Sequence, residues 1–372
     1  MERIIIIGGG VIGLSIGWQL VKAGCEVIIF EKERSGRGAS WQAAGLLSPI
    51  AEAKYVERVL LELGIKSLRL YPEFVAELEK DCGQNVDFRS EGTLILALNR
   101  DDYENLKHIY ETQKIFQLNT RWMSGEEARE REPLLSLRVN TAIWGEEDVQ
   151  IDNRKMVDGL RTAFLNQGGK LNENKGVKGI DIKNGKVKSV KLQNGEQIEG
   201  TKFVLAAGCW SAQIQGIPEK WIPPVRPVRG QIIALKMEAP NILNKVLYAP
   251  HAYLAPKSDG RLMIGATMEE MGFDTCNTAG GIRDLLQGAW EAVPGVAEMQ
   301  IMEISAGLRP GSRDNAPVLG ETEIENFYLA TGHFRKGILL APVTAREMVK
   351  IILNGTKSEI LEPFRMIRFI HG

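Results

Sequence analysis

Short, strongly apolar runs alternate along this chain with longer stretches whose apolar residues recur at helical spacing, and that alternation predicts an α/β core. Ile4–Ile7 and Val27–Phe30 are β-branched or aromatic throughout, as strands buried on both faces require. Lys202–Ala206 and Phe327–Ala330 read as strands of the same kind, and Thr93–Leu98 as a strand after a turn at Gly92. Helices are expected from the first glycine cluster to Ala23, over Glu57–Lys80 with a stop at Gly83, and from Asp152 to Gly168-Gly169. Two more are expected over Gly281–Val293 and from Gly337 to Leu353. Ser124 and Glu127 form a capping box that opens a short helix before Pro133.

A different pattern occupies the middle of the chain. Asn184-Gly185 and Asn194-Gly195 join short alternating runs, the signal for β-hairpins. From Val225 to Met268 the runs Ile232–Leu235, Leu247–Ala255 and Leu262–Ala266 are punctuated by Pro and Gly, which predicts antiparallel strands. The expected architecture is a Rossmann-like α/β dinucleotide-binding domain, residues 1–82, 150–225 and 300–372, interleaved with an antiparallel-sheet domain, residues 83–149 and 226–299.

Composition narrows the function classes. A net charge of −1 lacks the basic surplus expected of a nucleic-acid-binding protein. No apolar run is long enough to span a membrane, and Gly8, Gly9 and Gly10 interrupt the one stretch that imitates a signal peptide, so a cytoplasmic chain is expected. The four cysteines lie far apart without a CxxC, and the four histidines have no metal-ligand spacing, so a reduced, metal-free protein is expected. Glycine is the outlier: 39 of 372 residues, with no Gly-X-Y period.

Those glycines concentrate in motifs. Gly8, Gly10 and Gly13 form a G-x-G-x-x-G directly after a buried-strand signal and at the start of a helix, and Glu31 ends the next strand 18 residues beyond Gly13. That is the βαβ dinucleotide fingerprint: a tight turn at Gly8, close backbone approach at Gly10, helix-on-strand packing at Gly13. The helix N-terminus, with Val11 and Ile12, faces the pyrophosphate. Glu31, followed by Lys32, is placed to accept hydrogen bonds from a ribose hydroxyl and to disfavour a 2′-phosphate.

The stretch GRGASWQAAGLLSP, Gly36–Pro49, supplies small residues where an extended cofactor needs close backbone approach. Together with the fingerprint, with VLAAGCWS (Val204–Ser211) and with TGHFRKGILLAP (Thr331–Pro342), it resembles the D-amino-acid oxidase and sarcosine oxidase superfamily of FAD enzymes. The matches come in the family's order and span nearly the whole chain. The resemblance implies non-covalent FAD, with Gly38, Ala39, Ser40, Ala43, Ala44, Gly45 and Leu46 along the pyrophosphate and flavin. It places Val177, Ala207, Gly208 and Trp210 beside the adenosine. It also implies that His333, Phe334, Arg335, Lys336, Gly337 and Ile338 bring a helix N-terminus to the flavin. Cations there would stabilise negative charge on a reduced ring.

Flavin amine chemistry asks the protein mainly to hold the substrate in line. Arg309, in AGLRPG between Leu308 and Pro310, can grip a carboxylate through two parallel hydrogen bonds, which lysine cannot reproduce. The resemblance assigns it that role, gives Tyr253 a phenol beside the same carboxylate and puts Met268 on the cavity wall. His251, two residues before Tyr253, is expected on the same side of a strand. Arg335 either binds substrate or tunes the flavin.

GATM, AGLRPG and GHFRKGILLAP together look most like the glycine oxidase branch that serves the thiazole of thiamine; Leu46 departs from a methionine common there. The branch implies oxidation of glycine or another small amine or D-amino acid, with hydrogen peroxide formed from dioxygen, a homotetramer, and a thiazole synthase as partner. Two other readings stay open: a D-amino-acid dehydrogenase that passes electrons to a quinone, and a non-catalytic FAD-binding redox sensor or assembly subunit.

Overall fold

The computed structural model describes residues 2–53, 57–239 and 242–370. Residues 1, 54–56, 240–241 and 371–372, which include both ends of the expected domain ranges, lie outside the described residues.

Its first layer is a six-stranded sheet in the order Val318–Glu321, Phe327–Thr331, Lys202–Leu205, Arg3–Ile7, Glu26–Phe30, Lys170–Asn172. All neighbours run parallel except the outermost Val318–Glu321 strand. Seven α-helices occur among the described residues: α1 Val11–Lys22, α2 Arg58–Cys82, α3 Arg100–Ile115, α4 Gly125–Arg131, α5 Asn153–Asn166, α6 Ala279–Ala292 and α7 Gly337–Asn354. Helices α1, α2, α5 and α7 pack together in the core that covers one face of the parallel sheet. Trp18 of α1 is fully buried, its ring edge-on to Phe74 at 5.4 Å, and its indole N–H donates to Asp81 at 2.9 Å. Burying such side chains stabilises the layer by roughly 1.5–3 kcal/mol each.

The second layer is an eight-stranded sheet: Gln300–Gly311, Arg226–Lys236, Arg261–Gly265, Tyr253–Pro256, Val246–Tyr248, Thr93–Ala97, Thr141–Gly145, Thr120–Ser124. It is antiparallel apart from the contact between Val246–Tyr248 and Thr93–Ala97. The two Asn-Gly turns join Val177–Lys183, Lys186–Leu192 and Gln197–Glu199 into a separate three-stranded sheet.

Three expectations change. Residues 300–311, grouped by the sequence with the dinucleotide domain, form the edge strand of the antiparallel sheet, paired with Arg226–Lys236 along its length from Gln300↔Lys236 to Gly311↔Arg226. The chain therefore leaves this sheet after Gly311, because backbone pairing carries the strand past residue 300. The single apolar run Leu247–Ala255 is two strands separated by a turn closed by Ala249 N–H to Ala252 C=O at 2.8 Å. His251 sits in that turn, not on the strand with Tyr253. Helix α3 has no counterpart among the expected elements, because most of its surface faces solvent and only Leu106 and a few neighbours are buried.

Candidate active site

Between the two layers lies a cavity of about 600 Å³ that runs from the glycine turn after the first strand to the side chains of Arg309 and Tyr253. The turn is built by sterics. Gly8 has φ +109°, and a Cβ there would stand 2.4 Å from the Ala206 carbonyl oxygen. A Cβ on Gly13 would stand 2.0 Å from the Gly8 carbonyl oxygen, so α1 can pack this close to its strand only with glycine. Gly13 is the single predicted site residue that does not line the cavity.

At the start of α1, Gly10 offers no side-chain cap, and Ser40 Oγ accepts from Val11 N–H at 3.0 Å. Among the described residues no group accepts from the next N–H groups, of Ile12 and Gly13, which are the ones a helix N-terminus offers to an anion. Glu31 accepts from Gly9 N–H at 2.8 Å, which fixes its carboxylate at the cavity edge. Lys32 Nζ lies 3.5 Å from the Trp210 ring centroid, beside Ala207, Gly208 and Val177. Gly38, Ala39, Ser40, Ala43, Ala44, Gly45 and Leu46 form the facing wall. Gly45 has φ +70°, and a Cβ would meet the Ile151 carbonyl oxygen at 1.9 Å. Lys257, almost fully buried, donates to the carbonyls of Ala44 at 2.7 Å and Ile151 at 2.9 Å, and burial pushes its amine down to about 8. This lysine clamps the wall to the antiparallel sheet.

The far end is framed by α7. Pro342 lies inside that helix and cannot donate to Ile338 C=O; the Tyr71 hydroxyl of α2 donates there instead. Ser67 of α2 donates to Leu339 C=O at 2.6 Å. Helix α2 thereby satisfies the carbonyls near the start of α7. Just before the helix, Phe334 adopts φ +50° and its N–H donates to Pro310 C=O at 2.9 Å, which ties this turn to the Arg309 segment. His333 is buried against Thr344 at 3.2 Å, and burial pushes its pKa down to about 3, so the ring is neutral. Arg335, Lys336, Gly337 and Ile338 face the cavity, and α7 has no side-chain cap.

Arg309 donates from Nη1 to Thr267 C=O at 3.0 Å and Arg229 C=O at 3.3 Å. No described residue accepts from its Nε or Nη2, so one edge of the guanidinium is open to a ligand. Two glycines on neighbouring strands make the room. A Cβ on Gly230 would stand 2.2 Å from Arg309 Nη1, and one on Gly265 would stand 2.2 Å from the Tyr253 hydroxyl. Burial lowers the Arg309 pKa, while the neighbouring Tyr253 opposes that shift. Burial likewise pushes the Tyr253 hydroxyl up to about 12 against the pull of Arg309, so it is a neutral donor. Met268 and His251 line the cavity, but Met268 is 65% exposed and His251 is exposed at the rim.

Several residues were missed by sequence reasoning. Glu52 projects into the cavity, with Oε2 2.9 Å from Lys336 Nζ and 3.7 Å from Arg335 Nη2. Burial alone would raise its carboxyl; Lys336 and then Arg335 overturn this and hold it at about 2. Gln42 accepts from Ser305 Oγ at 2.8 Å and connects the facing wall to the Arg309 strand. Glu52 lies outside every motif, and Gln42, though inside the Gly36–Pro49 motif, is a long polar side chain among small residues there that the resemblance does not assign.

A dinucleotide-sized trough across a parallel sheet, ending at an arginine with one open edge on an antiparallel sheet, is the architecture of a two-layer dinucleotide-dependent oxidoreductase. The glycine cradle, the free N–H groups of α1 and Glu31 fit the pyrophosphate and ribose of FAD. The chain belongs to the DAO family of FAD-dependent oxidoreductases, whose model matches residues 3–351. It is 34% identical to the bifunctional protein ThiO/ThiG of Synechocystis sp. over 99% of this chain and 54% of that protein. It thus spans about half the length of such bifunctional relatives. The hydrogen cyanide synthase subunit HcnC of Pseudomonas aeruginosa is 29% identical over 98% of this chain and 96% of its own. The crystal structure of glycine oxidase from Geobacillus kaustophilus superposes with a TM-score of 0.91 at 30% identity, covering 98% of this chain and 99% of that one.

Proposed function

We propose that this chain oxidises glycine and other small amines or D-amino acids to the imine, which water converts to the oxo acid and ammonia while dioxygen is reduced to hydrogen peroxide. Bound FAD supplies the two-electron acceptor. The protein supplies position. Arg309 grips the substrate carboxylate with its open edge, and the neutral Tyr253 hydroxyl donates a further hydrogen bond. The Gly265 strand and Leu46 leave the amine-bearing carbon facing the cofactor trough. The observation that carries this reading is the open edge of Arg309 beside Tyr253 at the end of the FAD-sized cavity. Gly8, Gly10, Gly13, Glu31 and the 38–46 wall hold the cofactor in this reading.

The glycine oxidase likeness and the bifunctional ThiO/ThiG relatives support a role in supplying an imine to a thiazole synthase. The second reading is a D-amino-acid dehydrogenase that uses the same arginine and cofactor trough but passes electrons to a quinone instead of dioxygen. A panel of glycine, sarcosine, D-alanine and D-proline with paired peroxide and oxo-acid assays tests both. One peroxide per glyoxylate supports the oxidase. Oxo acid formed only with an artificial acceptor, without peroxide, supports the dehydrogenase and overturns the oxidase.

A further inference from the structure

Glu52 is a half-buried carboxylate in a segment otherwise made of small and apolar residues, Pro49, Ile50 and Ala51 before it and Ala53 after it. Its two cationic partners, Arg335 and Lys336, stand at the start of α7. The Tyr248 hydroxyl donates to its other oxygen at 3.4 Å. That end of α7 lies against the start of α1: a Cβ on Gly337 would be 3.9 Å from Val11 Cγ1. A cofactor whose phosphates meet α1 and whose ring reaches toward Arg309 therefore passes beside it. Apart from Glu52, the charged groups around the cavity there are Arg309, Arg335, Lys336 and the positive end of the helix.

The segment is held from behind. Asp148, fully buried and outside the cavity lining, accepts from Ile50 N–H at 3.1 Å, Ala51 N–H at 3.0 Å and Thr93 Oγ1 at 2.8 Å. Gln113 of α3 donates to Ile50 C=O at 3.1 Å.

We propose that Glu52 is a charge counterweight that lowers the electron affinity of the FAD bound beside α7, and that Asp148 is the positioning residue that holds it there. A ring that receives electrons gains negative charge, which nearby cations stabilise strongly where water is excluded. A carboxylate on those same cations cancels much of that field.

The test is the midpoint potential of the holoprotein by dye equilibration, together with its affinity for sulfite, an anion that adds to the flavin ring. E52Q should raise the potential and tighten sulfite binding by at least about tenfold, as one unbalanced charge in a partly buried site requires. K336M should shift both readings the other way, and the double variant should return close to wild type. D148N should move both in the direction of E52Q by a smaller factor, with FAD retained. Unmoved readings in E52Q overturn the proposal, as does a double variant that tracks E52Q alone. If E52Q does not retain FAD, an unmoved potential in K336M overturns it instead. No amino acid enters these readings, so their failure and failure of the proposed substrate are distinguishable.

Discussion

Replacing Arg309 by lysine keeps the positive charge and removes the geometry. In the wild type, Nη1 is occupied by the carbonyls of Thr267 and Arg229 at 3.0 and 3.3 Å, and the opposite edge is left for a ligand. Lysine has one nitrogen, which can serve those carbonyls or a carboxylate but not both in the same place. Gly230 leaves space beneath a flat guanidinium, and an ammonium would not fill it. Breaking a buried ion pair costs about 3–5 kcal/mol. That is roughly two to three and a half decades in affinity. The assay is the glycine KM of Arg309→Lys, with FAD content as the folding control and the dissociation constant of a simple carboxylate inhibitor read from the flavin spectrum. An unchanged KM and inhibitor constant in a variant with full FAD would remove Arg309 from the substrate site.

Other predictions follow from the same geometry. Gly13→Ala places a Cβ 2.0 Å from a backbone oxygen, so it should lower both FAD retention and Tm; a variant with wild-type values would refute the close packing of α1. Glu31→Ala should weaken FAD retention, measured by ultrafiltration, while the ratio of activities on glycine and D-alanine stays fixed; equal FAD content would contradict its cofactor role. Burial pushes the Asp148 carboxyl from 3.8 up to about 7, against hydrogen bonds from Thr93, Ile50 and Ala51. The folded state therefore binds the extra proton between those values, and stability falls as pH rises toward 7. Wild type should lose Tm relative to Asp148→Asn across that window; parallel curves would contradict the shift. Hydride loss needs a neutral amine, so kcat/KM for glycine should climb toward mildly alkaline pH, and a flat profile would contradict this.

What the sequence reveals depends on whether the backbone or a side chain carries the constraint. The turn at Gly8 and Gly13 is legible because a Cβ at either position strikes backbone, so only glycine serves and the spacing is rigid. Arg309 is legible because its segment is locked between Leu308 and Pro310. Glu52 is not, since its partners Arg335 and Lys336 are nearly three hundred residues away and only the fold brings them together. Gly230 and Gly265 are silent for a related reason: each matters through a side chain on a neighbouring strand. Helix α3 could have been found from its Asn99 and Asp102 capping box, a local signal that its solvent-facing composition obscures. The turn at His251 carries a local signal in Pro250, which interrupts the apolar run LYAPHAYLA, and the strand pairing shows that the run bends there.

The central claim is that the trough holds FAD and that Arg309 presents a small amine to it. Anaerobic addition of glycine to the purified holoprotein, followed by flavin absorbance, tests this most directly. The account predicts that the oxidised band bleaches fully and returns on admission of air. Absorbance that stays unchanged with glycine, and with every other amino acid and amine tried, would contradict it.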